Sequence, residues 1–143
     1  LNIGIGYTLP FATFAEEWVD ADRLKEVLDS YEVPGVAWRT VHYKPTSGRL
    51  SCKLIHGVQY YYTDYEAATI TLTQFYVMQA VWELYGKNPF VLSAERIPMF
   101  NKVCGTDFVS NTFGQSLKVS DIADFWCADA ETFKRLSAKY YLY

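Results

Sequence analysis

Cys52 and His56 stand four positions apart, and Asp64 follows further along. A thiol, an imidazole and a carboxylate are the parts of an activated cysteine nucleophile, provided all three share one surface. This segment reads as loop and strand, where an i, i+4 spacing brings no side chains together. Paired carboxylates offer a second chemistry, since glycoside cleavage uses one as acid and another as base or nucleophile. The candidates are Glu16-Glu17, Asp20 and Asp64-Tyr65-Glu66. Asp20 is better explained as a helix cap, and Asp64 as a residue that turns the chain at a strand end. No residue is therefore assigned a catalytic role. The three cysteines, Cys52, Cys104 and Cys127, form no CxxC pair. A zinc ribbon or a disulfide framework is not expected, nor any cofactor.

Binding chemistry has stronger signals. Gly4-Ile5-Gly6 can turn backbone N–H groups toward an anion, although Leu9 stands where a dinucleotide fingerprint needs its third glycine. A tight turn beside packed backbone explains the same residues. Twelve Tyr, nine Phe and four Trp make 17% of the chain aromatic. Such rings fill cores and also stack on flat ligands, including sugars. Tyr60 and Tyr62 share one strand face and Tyr61 takes the other, so one face meets the core and the other can form a stacking surface. His42 alternates within a strand and reads as half-buried and structural. Tyr140, Tyr141 and Tyr143 close the chain as an aromatic tail of the kind that docks into a partner.

The elements that must position these groups follow from periodicity. Residues 2–6 read as a strand ending in glycines, and a chain that opens on such a strand is expected to be one piece of a longer protein. Asp20 caps a helix whose stripe is Leu24, Val27, Leu28 and Tyr31, and Pro34-Gly35 stops it. Residues 36–43 alternate as a strand, 44–48 form a loop, and 57–63 are the strongest strand signal, closed by Asp64. A largely buried helix spans about 71–85 and ends at Gly86. Shorter helices are expected near 93–103 and 107–113, the second ended by Gly114. A last helix capped by Ser120 carries Ile122, Phe125, Trp126, Phe133, Leu136 and Tyr140. The reading is α+β, one domain over 1–143, with a small mixed sheet packed by several helices and a helix-rich C-terminal half.

Composition narrows the function classes. Half of the residues are apolar, enough for a core. A formal charge of −3 and scattered basic residues argue against a nucleic-acid surface. No apolar run approaches the roughly 20 residues of a membrane-spanning helix.

An ordered set of segments covers nearly the whole chain. It comprises Gly4-Ile5-Gly6-Tyr7 with Pro10-Phe11, Pro34-Gly35-Val36, Tyr43-Lys44-Pro45-Thr46, His56-Gly57-Val58-Gln59 leading to Tyr62-Thr63-Asp64, and the terminal Arg135 to Tyr143. In order and spacing it resembles the C-terminal domain of the exo-β-N-acetylmuramidases, the NamZ family. The resemblance implies a bacterial cell-wall recycling glycosidase that removes terminal N-acetylmuramic acid. Its partner would be an N-terminal Rossmann-like domain holding the catalytic carboxylate, its ligand a muropeptide or N-acetylmuramic acid glycoside, and its location extracytoplasmic. Gly4, Gly6, Tyr7, Thr8, His56 and Asp64 would bind substrate, with Tyr7, Thr8, His56 and Asp64 near one rim of the cleft. Many members read Gly-Arg-Gly-Thr at Gly4–Tyr7 and Cys at Ile55, so this chain lacks the arginine that would pair a muramic acid carboxylate. A non-catalytic module that docks a partner domain through an aromatic surface is the competing reading.

Overall fold

Glycine decides where the first strand lies. Gly4 and Gly6 have φ of 86° and 80°, left-handed values that break an extended run. The strand expected over residues 2–6 is therefore reduced to a single bridge from Asn2 to Ala15. Pairing resumes only after the loop, as β1 (Thr13–Glu16), a strand too short to stand out in the sequence. The computed structural model describes residues 1–142, so Tyr143 of the aromatic tail lies outside the described residues.

The chain divides into two units, Leu1–Lys87 and a second from Asn88 onward. In the first, β1 is followed by α1 (Ala21–Ser30), β2 (Val36–Tyr43), β3 (Ile55–Tyr62), a 3-10 turn (Ile70–Leu72) and α2 (Thr73–Tyr85). Asp20 caps α1 as expected, accepting from the Arg23 N–H at 3.1 Å. The strand order is β1-β3-β2. Both pairings are antiparallel, so the sheet is not mixed: β1 and β2 run the same way through the α1 crossover, but β3 lies between them and no parallel pair is hydrogen-bonded. β3 begins two residues earlier than expected, because Tyr43 pairs with Ile55 and His42 with His56.

Each face of the sheet buries its own cluster. Leu24 and Leu28 of α1 and Val77, Ala80 and Val81 of α2 close over Trp38 and Val58. On the opposite face Ala15, Val41, Tyr43, Leu50 and Ile55 pack under the loops, with Tyr7 against them. A buried leucine of this kind contributes roughly 1.5–3 kcal/mol. Gly57 stands where β1 crosses closest: a Cβ there would run into the Phe14 carbonyl oxygen. α2 ends at Gly86, φ 62°, the left-handed residue that lets a helix stop.

The second unit is helical: α3 (Pro89–Leu92), α4 (Ile97–Cys104), α5 (Phe108–Ser116), α6 (Ser120–Cys127) and α7 (Ala130–Ser137). Asn88 caps α3, accepting from the Phe90 N–H at 2.8 Å, and its amide donates to the Gly114 carbonyl at 2.8 Å. Gly114 does not end α5. It lies inside the helix, where a Cβ would come 3.1 Å from the Phe90 ring, so its smallness is used for packing. Leu117, φ 51°, ends the helix instead. The single helix expected from Ser120 is two, broken near Ala128. Ser120 is the first residue of α6, not its cap, and donates to the Asp121 carboxylate at 3.2 Å. Val109, Phe113, Leu117, Val119 and Ile122 are buried. Phe133, Leu136 and Tyr140 are exposed.

Candidate binding groove and the expected rim

The six residues expected to bind substrate are divided between the two ends of the sheet, and so are the four among them expected to share one rim, Tyr7, Thr8, His56 and Asp64. Gly4, Gly6 and Tyr7 belong to the end where β3 starts. Asn2 holds this loop: its Oδ1 accepts from the Gly4 N–H at 2.6 Å and from the Tyr43 hydroxyl at 3.0 Å, and its Nδ2 donates to the Ile5 carbonyl at 3.2 Å. Since Tyr43 gives its one proton to Asn2, the buried Thr13 hydroxyl donates to the Tyr43 oxygen at 2.9 Å. Burial pushes the Tyr43 hydroxyl above its ordinary pKa. The Gly6 carbonyl accepts from the N–H and the hydroxyl of Thr46, at 2.8 and 3.1 Å. Tyr7 lies flat on Tyr43, ring centres 4.0 Å apart and planes 14° from parallel. The loop therefore spends the Gly4 amide on Asn2 and one ring face of Tyr7 on Tyr43. Thr8 is exposed beside it.

His56 lies at the same end of β3 and its partner is His42, not Cys52. The two Nδ1 atoms are 2.7 Å apart, so one ring must donate and the other accept. His42 is exposed rather than half-buried, because the helices that cover Trp38 on this face do not extend over it. Cys52 sits in the preceding turn at φ 63°. The buried Glu16, opposite His56 in β1, is paired instead with Arg49.

Asp64 lies beyond the other end of β3. From His56 to Tyr62 alone the strand advances about 20 Å at 3.3 Å per residue. Asp64 Oδ1 accepts from the N–H groups of Glu66 and Ala67 at 2.9 and 3.1 Å. Gly35 admits this turn closely, since a Cβ there would meet the Asp64 carbonyl. The carboxylate thus shapes a turn, as its sequence position suggested.

Beside that turn opens a groove of about 250 Å3. Phe14, Tyr60 and Tyr62 form its floor, Ile3 and Phe11 one wall, and Ile70, Thr71, Thr73 and Gln74 the other. Two hydroxyls fix the walls. Tyr60 donates to the Phe11 carbonyl at 2.6 Å, and Tyr62 donates to the Ile70 carbonyl at 3.2 Å. The rings contact in sequence, Phe14 to Tyr60 at 5.8 Å, Tyr60 to Tyr62 at 5.5 Å and Tyr62 to Tyr65 at 5.4 Å. Phe11 holds φ 62°, a left-handed value costing a bulky residue about 1–2 kcal/mol, yet its side chain stays 65% exposed. The lining has no acid, histidine, lysine or cysteine, and desolvation by burial raises the Tyr60 hydroxyl's pKa. Such a surface can bind but has no group to move a proton near neutral pH.

The alternation of Tyr60 and Tyr62 was legible in the sequence, and here the core-facing side of the strand is also the stacking side. Phe11, Phe14 and the Ile70–Gln74 wall were missed, because only the register of β1 on β3 and the start of α2 bring them together. Among the described residues no group of three His, Cys, Asp or Glu could hold a metal ion, and no helix is long and apolar enough to cross a membrane.

Comparison with known proteins is consistent over the whole length. Residues 1–143 match the family described as "Exo-beta-N-acetylmuramidase NamZ, C-terminal". A Bacillus subtilis protein named peptidoglycan beta-N-acetylmuramidase NamZ is 27% identical over 143 residues, all of this chain and 34% of its own length. The crystal structure of a DUF1343 family protein from Bacteroides fragilis superposes with a TM-score of 0.90 at 39% identity. That match covers 99% of this chain and 38% of the other. The chain thus spans about a third of the relatives that it matches.

Proposed function

The chain belongs to the family of NamZ exo-β-N-acetylmuramidase C-terminal domains, and from that membership we propose that it is the substrate-cleft domain of a peptidoglycan-degrading glycosidase. The whole enzyme removes N-acetylmuramic acid from the ends of cell-wall fragments, outside the cytoplasm. The observation that carries this reading is the match across every residue of the chain, joined to a Bacillus relative named for that activity.

The division of labour follows from the residues. Glycoside cleavage needs two carboxyl groups about the scissile bond. Here Asp64 is engaged in a turn, Glu16 in an ion pair with Arg49 and Glu17 in one with Lys53. By the family resemblance, the catalytic carboxylate belongs to an N-terminal Rossmann-like domain that lies outside this C-terminal segment. This chain contributes recognition through Tyr7, Thr8 and His56 at one end of the sheet and the aromatic groove at the other.

A second reading rests on α7. Phe133 and Leu136 of that helix and Tyr140 of the turn after it are exposed, and an exposed apolar patch marks an interaction surface. On that reading the chain only docks a partner. Kinetics separate the two: Tyr7→Ala in the full-length protein raises KM for muramyl substrates on the first reading and leaves it unchanged on the second.

A further inference from the structure

We propose that His42 is a positioning residue for His56: it holds that imidazole by Nδ1, so that Nε2, carrying the ring's proton, is the atom left to meet a sugar. This rests on the reading of His56 as part of substrate recognition and deepens it. The two histidines stand directly opposite each other on β2 and β3, so their side chains leave the sheet on the same face.

The contact is a hydrogen bond aimed end to end. The Nδ1 atoms are 2.7 Å apart and the ring centres 5.0 Å. That separation is about the nitrogen–nitrogen distance with one ring radius added at each end. Both nitrogens therefore point along the line between the rings, the alignment that a hydrogen bond needs. The bond that one ring nitrogen makes decides the protonation of the other. With His42 as donor, a neutral His56 accepts at Nδ1 and carries its own proton on Nε2. The exposed His42 then turns its bare Nε2 to water. The reverse arrangement would leave His56 with a bare Nε2. The acetamide carbonyl and the carboxylate of N-acetylmuramic acid are acceptors only, so an N–H can bond either and a bare nitrogen neither.

The sheet fixes the pair. Val41 and Tyr43 on either side of His42, and Ile55 beside His56, are buried in the cluster on the opposite face, so both backbones are held by packed strand and not by loop. The charged groups around the pair are committed elsewhere. Glu16, opposite His56 in β1, is paired with Arg49, and Lys53, in the turn before β3, is paired with Glu17. Without the bond to His42, the His56 ring would sample both tautomers and more than one rotamer, and a ligand would have to select one of them.

The test has two readouts on the full-length protein: cleavage of a chromogenic N-acetylmuramic acid glycoside, and the His56 tautomer by heteronuclear NMR after histidine labelling, in mildly alkaline buffer that keeps imidazoles neutral. The unaltered protein should show the His56 proton on Nε2. His42→Ala should spread that proton over both nitrogens and raise KM about tenfold, the loss of one oriented hydrogen bond, with kcat within about twofold. His42→Asn puts an amide N–H where the imidazole Nδ1–H stood and should restore both tautomer and KM. His56→Ala should raise KM as far as His42→Ala does, and the two changes together no further. A His56 tautomer unchanged in His42→Ala, a KM that rises with His56→Ala but not with His42→Ala, or no rescue by His42→Asn overturns the proposal while the recognition reading stands. A KM unmoved by His56→Ala, or no cleavage by the unaltered protein, overturns that reading, and the proposal falls with it.

Discussion

The two ends of one strand, β3, have been put to opposite uses. Where it begins, at Ile55 and His56, the surrounding loops are locked: Asn2 bonds Gly4, Ile5 and Tyr43, Thr46 bonds Gly6, and Tyr7 lies on Tyr43. Where it finishes, at Tyr60 and Tyr62, hydroxyls are again bonded to backbone, but the rings border an open groove. The contrast teaches that aromatic content alone says little. Tyr43 and Tyr60 face opposite sides of neighbouring strands, and what covers each side decides whether a ring is core or binding surface.

The sharpest way to break this contrast is at the locked end. Gly4→Ala would force a Cβ onto the Leu9 carbonyl at φ 86° and should cost on the order of 3 kcal/mol, read as a lower urea midpoint. An unchanged midpoint would mean that the loop is not locked. Tyr43→Phe removes the hydroxyl between Thr13 and Asn2, taking its partner from the buried Thr13 hydroxyl, and should cost about 2 kcal/mol in the same measurement. At the open end the effect should fall on binding instead. Phe11→Gly tolerates φ 62° and should keep stability within about 1 kcal/mol while sugar affinity falls about tenfold. A large loss of stability would make Phe11 structural.

Alkaline titration acts on both ends. Desolvation raises the Tyr43 and Tyr60 hydroxyls, so their neutral forms favour the folded state. That contribution is fully present below the ordinary tyrosine value of about 10 and is lost as pH rises through the higher folded values. Urea midpoints should therefore fall above about pH 10, and less so in Tyr60→Phe. The mildest change is Ile5→Arg at an exposed position, which supplies the arginine that the family resemblance implies there. It should leave stability within about 0.5 kcal/mol and lower KM for muramyl substrates several-fold if the loop faces the cleft.

Much of the fold was open to sequence reasoning because its signals are local. Asp20 before a helical stripe, the alternation over 36–43 and Gly86 after α2 each carry their own cause within a few residues. The failures were of two kinds. Glycines mark either a turn or a close approach, and Gly114 proved to be the second, while Gly4 and Gly6 ended a strand that seemed to run to them. Four-residue β1 carries too little pattern to detect, yet it sets the register that brings Phe14 over Tyr60. The expected rim failed for a related reason: His56 and Asp64 are close in sequence, but an extended strand carries eight positions far apart. The groove's far wall depends on where α2 begins, which no local pattern specifies.

The central claim is that this chain completes a muramidase. The most direct test is release of N-acetylmuramic acid from a chromogenic glycoside by the full-length protein, by the same protein lacking this segment, and by the truncated protein mixed with the separate chain. The account predicts cleavage, its loss on truncation and its return on mixing. Undiminished cleavage without the segment, or none by the intact protein, would contradict it.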